Sequence, residues 1–301
     1  NQDGYVSTTS AGWIRYTPPA PAVDQTQSEI PYIPIPVPAS EPTSDLGPGP
    51  DCGYTDFVDS GTEDPAMYYI DAANNLLFRF RLGGTAPNSK GYSVLMDTDR
   101  KFGTADPNYI AGVNPGFELE INLQTNFGVF VYNVDGTATP TLVTSYPGHT
   151  NYHRAIAASQ NCGDDDYFYD FFIKFSDLTS IPGLGITTID SIRMAIITQM
   201  NPQPAIGNNA LSDIGGINDA TCGSFEGCIT QVINNYYTSC PIINSINVNA
   251  TSVSGTCNEA NGTVIKVYRN GGATPICTTT VNNGTWSCSG LTFSSGDVIT
   301  A

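Results

Sequence analysis

The stretch Phe117-Glu118-Leu119-Glu120-Ile121-Asn122-Leu123 decides the fold class. Phe117, Leu119 and Ile121 fall on one side of an extended chain and Glu118 and Glu120 on the other. That is the two-residue period of a strand rather than the 3.6-residue period of a helix. Working outward, Met67 to Asp71, Leu76 to Leu82, Gly91 to Asp97, Phe127 to Asn133, Tyr167 to Lys174 and Ser191 to Thr198 read the same way. No stretch longer than a few residues keeps a helical period. Strands in this number, separated by turn residues, predict a two-sheet sandwich over residues 51–217. Within Leu76 to Leu82, Arg79 and Arg81 alternate with Phe78, Phe80 and Leu82, so one face of this strand is expected to be charged and open to solvent or ligand.

The chain of 301 residues carries 30 Gly and 21 Pro, enough length for about two domains. Residues 1–50 open with a strand candidate, Tyr5 to Tyr16, and then become proline-rich. In Ile30-Pro31-Tyr32-Ile33-Pro34-Ile35-Pro36-Val37-Pro38 each proline fixes φ and lacks a donor, which excludes helix and central strand. The segment is expected to be an extended polyproline II stretch packed on a neighbouring surface. Residues 218–240 read as a cysteine-containing connector. Residues 241–301 read as a smaller unit with strands at Ile242 to Val248, Thr251 to Gly255, Thr263 to Arg269, Cys277 to Val281, Gly284 to Ser289 and Asp297 to Thr300. The last of these is still running at Ala301, so the native protein is expected to continue, and Asn1 reads as a processed or trimmed end.

Composition narrows the class. With 11 Lys and Arg against 28 Asp and Glu, the formal charge is −17; such a chain repels phosphate backbones, so nucleic acid and anionic membrane are excluded as partners. No apolar run reaches the ~20 residues that a helical span needs, so direct membrane insertion is not expected. Eight cysteines without a CxxC pair point to disulfides in an oxidising, extracellular compartment rather than to zinc. Cys277 and Cys288 lie on the two arms of an expected hairpin around Asn282-Asn283-Gly284, and Cys222 with Cys228 closes a short loop.

The sharpest local feature is Asp97-Thr98-Asp99-Arg100-Lys101-Phe102-Gly103-Thr104-Ala105-Asp106, with Glu118 further on. A strand that ends in Asp-x-Asp and enters a glycine-containing loop gathers the carboxylate oxygens a hard cation such as Ca2+ requires. Asp97, Asp99, Asp106 and Glu118 are the expected ligands; Lys101 at the third ligand position excludes an EF-hand. The bland alternative is an Asx-rich turn whose carboxylates cap backbone donors. Asp164-Asp165-Asp166 reads as a solvated turn, and Asp56, Asp59 and Asp64 form another acidic loop. For glycans, Arg79, Arg81 and Tyr109 are the candidate contacts, with Tyr68, Tyr69, Tyr132 and Tyr169 as further stacking faces. His149 and His153 read as loop residues after Pro147-Gly148. The sequence has no Gly-x-Ser-x-Gly elbow and no phosphate-binding glycine loop, so no enzyme is expected; a glycosidase pair is decided by a carboxylate separation rather than by sequence.

Residues 67–200 resemble the family-9-type carbohydrate-binding sandwich and its relatives in Bacteroidota surface proteins. The segments that carry this are Leu76 to Arg81, Tyr92 to Asp99, Phe171 to Leu178 and Ser191 to Met194. Ser252 to Thr256, Thr263 to Tyr268 and Gly284 to Ser287 resemble a bacterial Ig-like repeat. The resemblance implies an all-β chain, a jelly-roll-like sandwich followed by an Ig-like one, within a gliding-associated surface adhesin or filament of the type 9 secretion route. Its partners would be other surface or outer-membrane proteins, or glycans. The alternative is the binding module of a secreted glycan-degrading enzyme.

Overall fold

A computed structural model describes residues 22–23, 32–35, 41–45, 47–59, 64–157, 159–189, 192–208, 210–236, 241–257, 262–272 and 274–301. The strand expected at Tyr5 to Tyr16, most of the proline-rich segment, Asp190-Ser191, Asn261 and Cys240 lie outside these residues. The chain divides into two compact units, Asn1–Tyr236 and Tyr237–Ala301. Both are built from sheets that are antiparallel but for one short parallel edge pair among the described residues, so the protein is all-β in class. Among the described residues, no helix is long and apolar enough to cross a membrane.

In the first unit the strands are β1 (Ala22–Val23), β2 (Ile33–Pro34), β3 (Ala66–Ile70), β4 (Asn75–Leu82), β5 (Gly91–Asp97), β6 (Leu119–Gln124), β7 (Gly128–Asn133), β8 (Thr141–Pro147), β9 (Tyr152–Ile156), β10 (Tyr167–Lys174), β11 (Arg193–Gln199) and β12 (Leu211–Ile214). One sheet runs β1-β9-β10-β4-β3-β2, the other β12-β11-β5-β6-β7-β8. Register sorts the side chains. Leu76, Phe78 and Phe80 of β4 stand opposite Ile173, Phe171 and Tyr169 of β10, and Tyr92, Val94 and Met96 of β5 stand opposite Leu123, Ile121 and Leu119 of β6. These two apolar sets face each other: the Tyr92 and Tyr169 rings, one from each sheet, meet edge-on at 4.8 Å. Edge-to-face geometry brings the positive rim of one ring to the negative face of the other. Ile33 and Pro34 take the sheet edge beside β3, where a proline without a donor interrupts no ladder, and Ile35 beyond them is fully buried.

The opposite face of β4 corrects the sequence reading. Arg79 and Arg81 are 1% and 0% exposed, so this face is closed. In-register pairing sets Asp170 directly across from Arg79. The guanidinium grips both carboxylate oxygens, each at 2.8 Å, and both arginines lie over the Phe168 ring, at 4.1 and 4.4 Å from its centroid. Alternation places a residue on a face; what covers that face is a tertiary matter. His153 is also corrected: it belongs to β9, opposite Asp170, and is buried. Strands β8, β9 and β12 are further elements that the apolar pattern did not reveal.

The expected connector holds two helices, α2 (Asp219–Cys222) and α3 (Phe225–Tyr236), after the short α1 (Phe175–Thr179) of the sandwich. Asn218 caps α2 by accepting from the Ala220 N–H. In α3 Cys228, Ile229, Val232 and Ile233 are buried at helical spacing, a period hidden in the sequence by its shortness. Cys222 and Cys228 are bonded between the two helices, and Cys52 and Cys162 are bonded across 110 residues.

The second unit has β13 (Ile242–Ile243), β14 (Ser252–Thr256), β15 (Val264–Arg269), β16 (Cys277–Thr280), β17 (Thr285–Ser289) and β18 (Ile299–Thr300), in sheets β13-β14-β17 and β16-β15-β18. Val253, Ile265, Val267, Val281, Trp286 and Phe293 fill its core. Cys277 and Cys288 are bonded, but not across a hairpin: β16 pairs with β15 and β17 with β14. The expected two-arm ladder is instead a passage from one sheet to the other. Asn283 and Gly284, both at positive φ (49° and 74°), make the tight turn that an Asn-Gly pair favours, and the bond bridges the sheets over the core.

Two measurements check these assignments. Arg79→Met should cost about 3–5 kcal/mol in urea unfolding because it strands a buried carboxylate, whereas Arg79→Met with Asp170→Leu should recover most of the loss. Replacing Cys277 and Cys288 by Ala should lower the stability of the second unit by about 3 kcal/mol, followed through the fluorescence of buried Trp286.

Candidate metal centres

Strand β5 ends at Asp97, and the chain turns through Arg100, at φ 62°, into the loop that returns to β6. The turn brings one oxygen each of Asp97, Asp99 and Glu118 within 4.8 Å of one another. Most of their acceptor capacity is already engaged. Asp97 Oδ1 accepts the Arg100 N–H at 2.6 Å, and Oδ2 accepts Arg193 Nε at 2.6 Å from the residue directly opposite on β11. Asp99 accepts the Lys101 N–H at 2.8 Å and pairs with Lys101 Nζ. Glu118 Oε2 accepts the N–H and hydroxyl of Thr98 at 2.6 and 3.0 Å, while Oε1 is buried without a hydrogen-bond partner among the described residues. Asp106 follows a single 3-10 turn, Gly103–Ala105. Its Oδ1 accepts the Asn108 N–H at 2.7 Å and its Oδ2 is likewise buried without a partner among the described residues. Gly116, at φ +123°, lets the chain pass: a Cβ there would lie 2.9 Å from Asp106 Oδ2. Burial raises Asp97 to about 7 against the opposing pull of Arg193, and raises Glu118 to about 8 with the charges of Asp97 and Asp99 adding to it. Two cations, Arg193 and Lys101, therefore already share this corner with the carboxylates; Asp106 is not among the three whose oxygens converge, and of those three Glu118 offers the buried oxygen, Oε1, without a hydrogen-bond partner among the described residues.

The glycan candidates are dispersed. Arg79 and Arg81 are enclosed as described above. Tyr109 donates to Glu226 Oε1 at 2.6 Å, and Gly112 N–H donates to Glu226 Oε2 at 3.0 Å, so this loop is tied to α3. Tyr169 is in the core, while Tyr68, Tyr69 and Tyr132 are partly exposed. In the Asp164-Asp165-Asp166 run the first two are exposed; Asp166 is buried and accepts Asn161 Nδ2 at 3.1 Å.

A second group of acids was beyond the reach of sequence. Asp45, Asp56 and Asp213 are buried, with one oxygen each within 4.8 Å of the others. Buried Glu41 and partly buried Asp219 adjoin them, near enough for their charges to act on the group. One carboxylate oxygen of each is held by backbone: Glu41 by Gly216 N at 2.7 Å, Asp45 by Asp219 N at 3.2 Å, Asp213 by Phe57 N at 2.6 Å and Asp219 by Ile214 N at 3.0 Å. Asp56 accepts from both Ser44 N and Cys52 N, at 2.9 and 2.5 Å. Asp56 is visible in the sequence as part of an acidic loop, but of its neighbours only Glu41 and Asp45 are near it in the chain, while Asp213 and Asp219 come from a segment more than 100 residues away.

No protein-family model, curated protein or solved structure matches this chain. Function is therefore read from the chain's own geometry.

The raised Glu118 sets a pH dependence. A carboxyl that titrates higher in the folded than in the unfolded state contributes its full stability below the ordinary value, 4.5, and loses it as pH rises towards about 8. Glu118→Gln should therefore leave stability unchanged at pH 4 and raise it at pH 8 by roughly 1–3 kcal/mol, measured by urea unfolding at the two pH values. An unchanged difference between pH 4 and pH 8 would count against the buried, proton-holding state.

Proposed function

We propose that this chain is a structural and adhesive region of an exported bacterial surface protein, an adhesin or filament, rather than an enzyme. The observation that carries the reading is the set of disulfides, Cys52–Cys162, Cys222–Cys228 and Cys277–Cys288, present in both units. Such bonds persist in an oxidising compartment, and they suit domains that must keep their shape outside the cell. Buried ion pairs, Arg79–Asp170 and Arg193–Asp97, put charged side chains to structural use. Two β units in tandem fit a chain that extends away from its anchor by repetition, as the resemblance to gliding-associated adhesins implies. Other surface or outer-membrane proteins are the partners of this reading. Calcium belongs to it as a stabiliser, held where the oxygens of Asp97, Asp99 and Glu118 converge after β5, with Asp106 further along the loop.

A glycan-binding role is the second reading. It is favoured by one observation: Tyr32, Tyr69 and Phe172 pack partly buried around Leu77, making an aromatic patch beside strand β4. Sugar rings stack on such faces.

Antibody raised against the chain should label intact, unpermeabilised cells of the producing organism; labelling only after lysis would remove the surface role. On a glycan array, binding that is lost in Tyr69→Ala would favour the second reading, and a blank array the first.

A further inference from the structure

We infer that Asp45, Asp56 and Asp213, completed by Glu41 and Asp219, form a calcium site that locks the segment before β3 onto the edge strand β12. The inference does not rest on the surface role proposed above.

Acidic residues often cluster on a surface without consequence, and this cluster differs in what each carboxylate does with its second oxygen. Glu41 Oε1, Asp45 Oδ1, Asp56 Oδ1, Asp213 Oδ1 and Asp219 Oδ1 are all buried atoms without a hydrogen-bond partner among the described residues. Glu41 is 6% exposed and Asp56 and Asp213 are 0% exposed, so water does not serve them from outside. In each residue the first oxygen is fixed by a backbone N–H, which orients the second. An unpaired carboxylate in such a place is costly. The described structure places no Lys or Arg ion pair on any of the five.

The donor set selects the ion. All five offered atoms are carboxylate oxygens, the ligands of a hard cation. Ca2+ takes 6–8 oxygens at about 2.3–2.6 Å in flexible geometry, so two ligands on opposite sides of it lie up to ~5 Å apart. The 4.8 Å limit within which the Asp45, Asp56 and Asp213 oxygens fall meets that spacing. Mg2+ keeps several waters and uses one or two carboxylates, a poor match to five. Zn2+ would want the sulfur of Cys222 or Cys228 beside Asp219, but these two are bonded to each other.

The site also has a mechanical position. Gly47 N donates to Ser212 O at 2.6 Å and Ser212 Oγ to Pro48 O at 2.6 Å, so the segment already lies along β12. An ion held by Asp45 and Asp56 from that segment and by Asp213 and Asp219 from β12 and α2 closes the sheet edge. Exposed edges invite pairing with other chains, and covering them prevents it.

The test uses the full chain, stripped with EDTA and titrated with CaCl2 by calorimetry and thermal melting. Ca2+ at about 100 times its Kd should raise the first unit's Tm by roughly 5–10 °C, and MgCl2 at the same concentration should not. Glu41→Gln and Asp213→Asn should each weaken binding about tenfold or more. In EDTA, Asp213→Asn should melt higher than the unaltered chain, because it removes an unpaired buried charge; a side chain that only accepted the Phe57 N–H would not behave so. Asp164→Asn and Asp165→Asn, exposed carboxylates outside both acidic groups, should leave this binding unchanged. No calcium response in the unaltered chain, or binding indifferent to Glu41→Gln and Asp213→Asn, overturns the site. Binding lost only in Glu118→Gln moves the ion to the end of β5 and overturns it as well.

Discussion

A charge drawn into this sandwich is costly unless something offsets it, and the architecture depends on how that is arranged. Arg79 and Asp170 are neighbours only because β4 and β10 pair in one register; a slip of one residue would leave them on opposite faces of the sheet. Arg193 and Asp97 repeat the device across β11 and β5. Each pair lies on the face of its sheet turned away from the apolar interior, and each is buried all the same. The pairs thus specify register at positions where apolar side chains would tolerate several arrangements.

The outer face of the second sheet solves a similar problem without a cation. Glu120 is fully buried, yet it accepts from Ser93 Oγ, Ala205 N and Ile206 N. Asn122 reaches Ser93 and Gln199 on the same face. Part of a loop after β11 is laid across this face and satisfies its carboxylate with backbone donors. The face that looks hydrophilic in the sequence is therefore interior. The Glu41, Asp45, Asp56, Asp213 and Asp219 group stands apart from these arrangements, since its hydrogen bonds use only half of the oxygens present.

The disulfides act at a different level from the ion pairs. Cys52–Cys162 joins the segment ahead of β3 to the loop before β10, and Gly83 helps make room for it: a Cβ there would sit 2.6 Å from the Cys52 carbonyl oxygen. Cys52 N–H also donates to Asp56, so the covalent tie and the acidic group steady the same stretch. Chain constraint of this kind chiefly disfavours the unfolded state. The ion pairs choose among folded arrangements.

Alternation in Leu76 to Leu82, Gly91 to Asp97 and Tyr167 to Lys174 was enough to establish strands and an all-β class, because side-chain direction along a strand follows from backbone geometry alone. The Asp-x-Asp at the end of β5 was legible for the same reason, its members being close in sequence. Local spacing also singled out Cys222 with Cys228. Strands β8, β9 and β12 escaped notice because Thr141–Pro147 is largely exposed, while His153 and Asp213 put polar groups where apolar ones are expected. Sequence by itself determined the strands and which residues share a face. Only the tertiary structure decided which faces are covered, that Cys277 and Cys288 bridge two sheets, and that five acids from distant segments converge. Those outcomes depend on contacts between segments far apart in the chain, which no local period encodes.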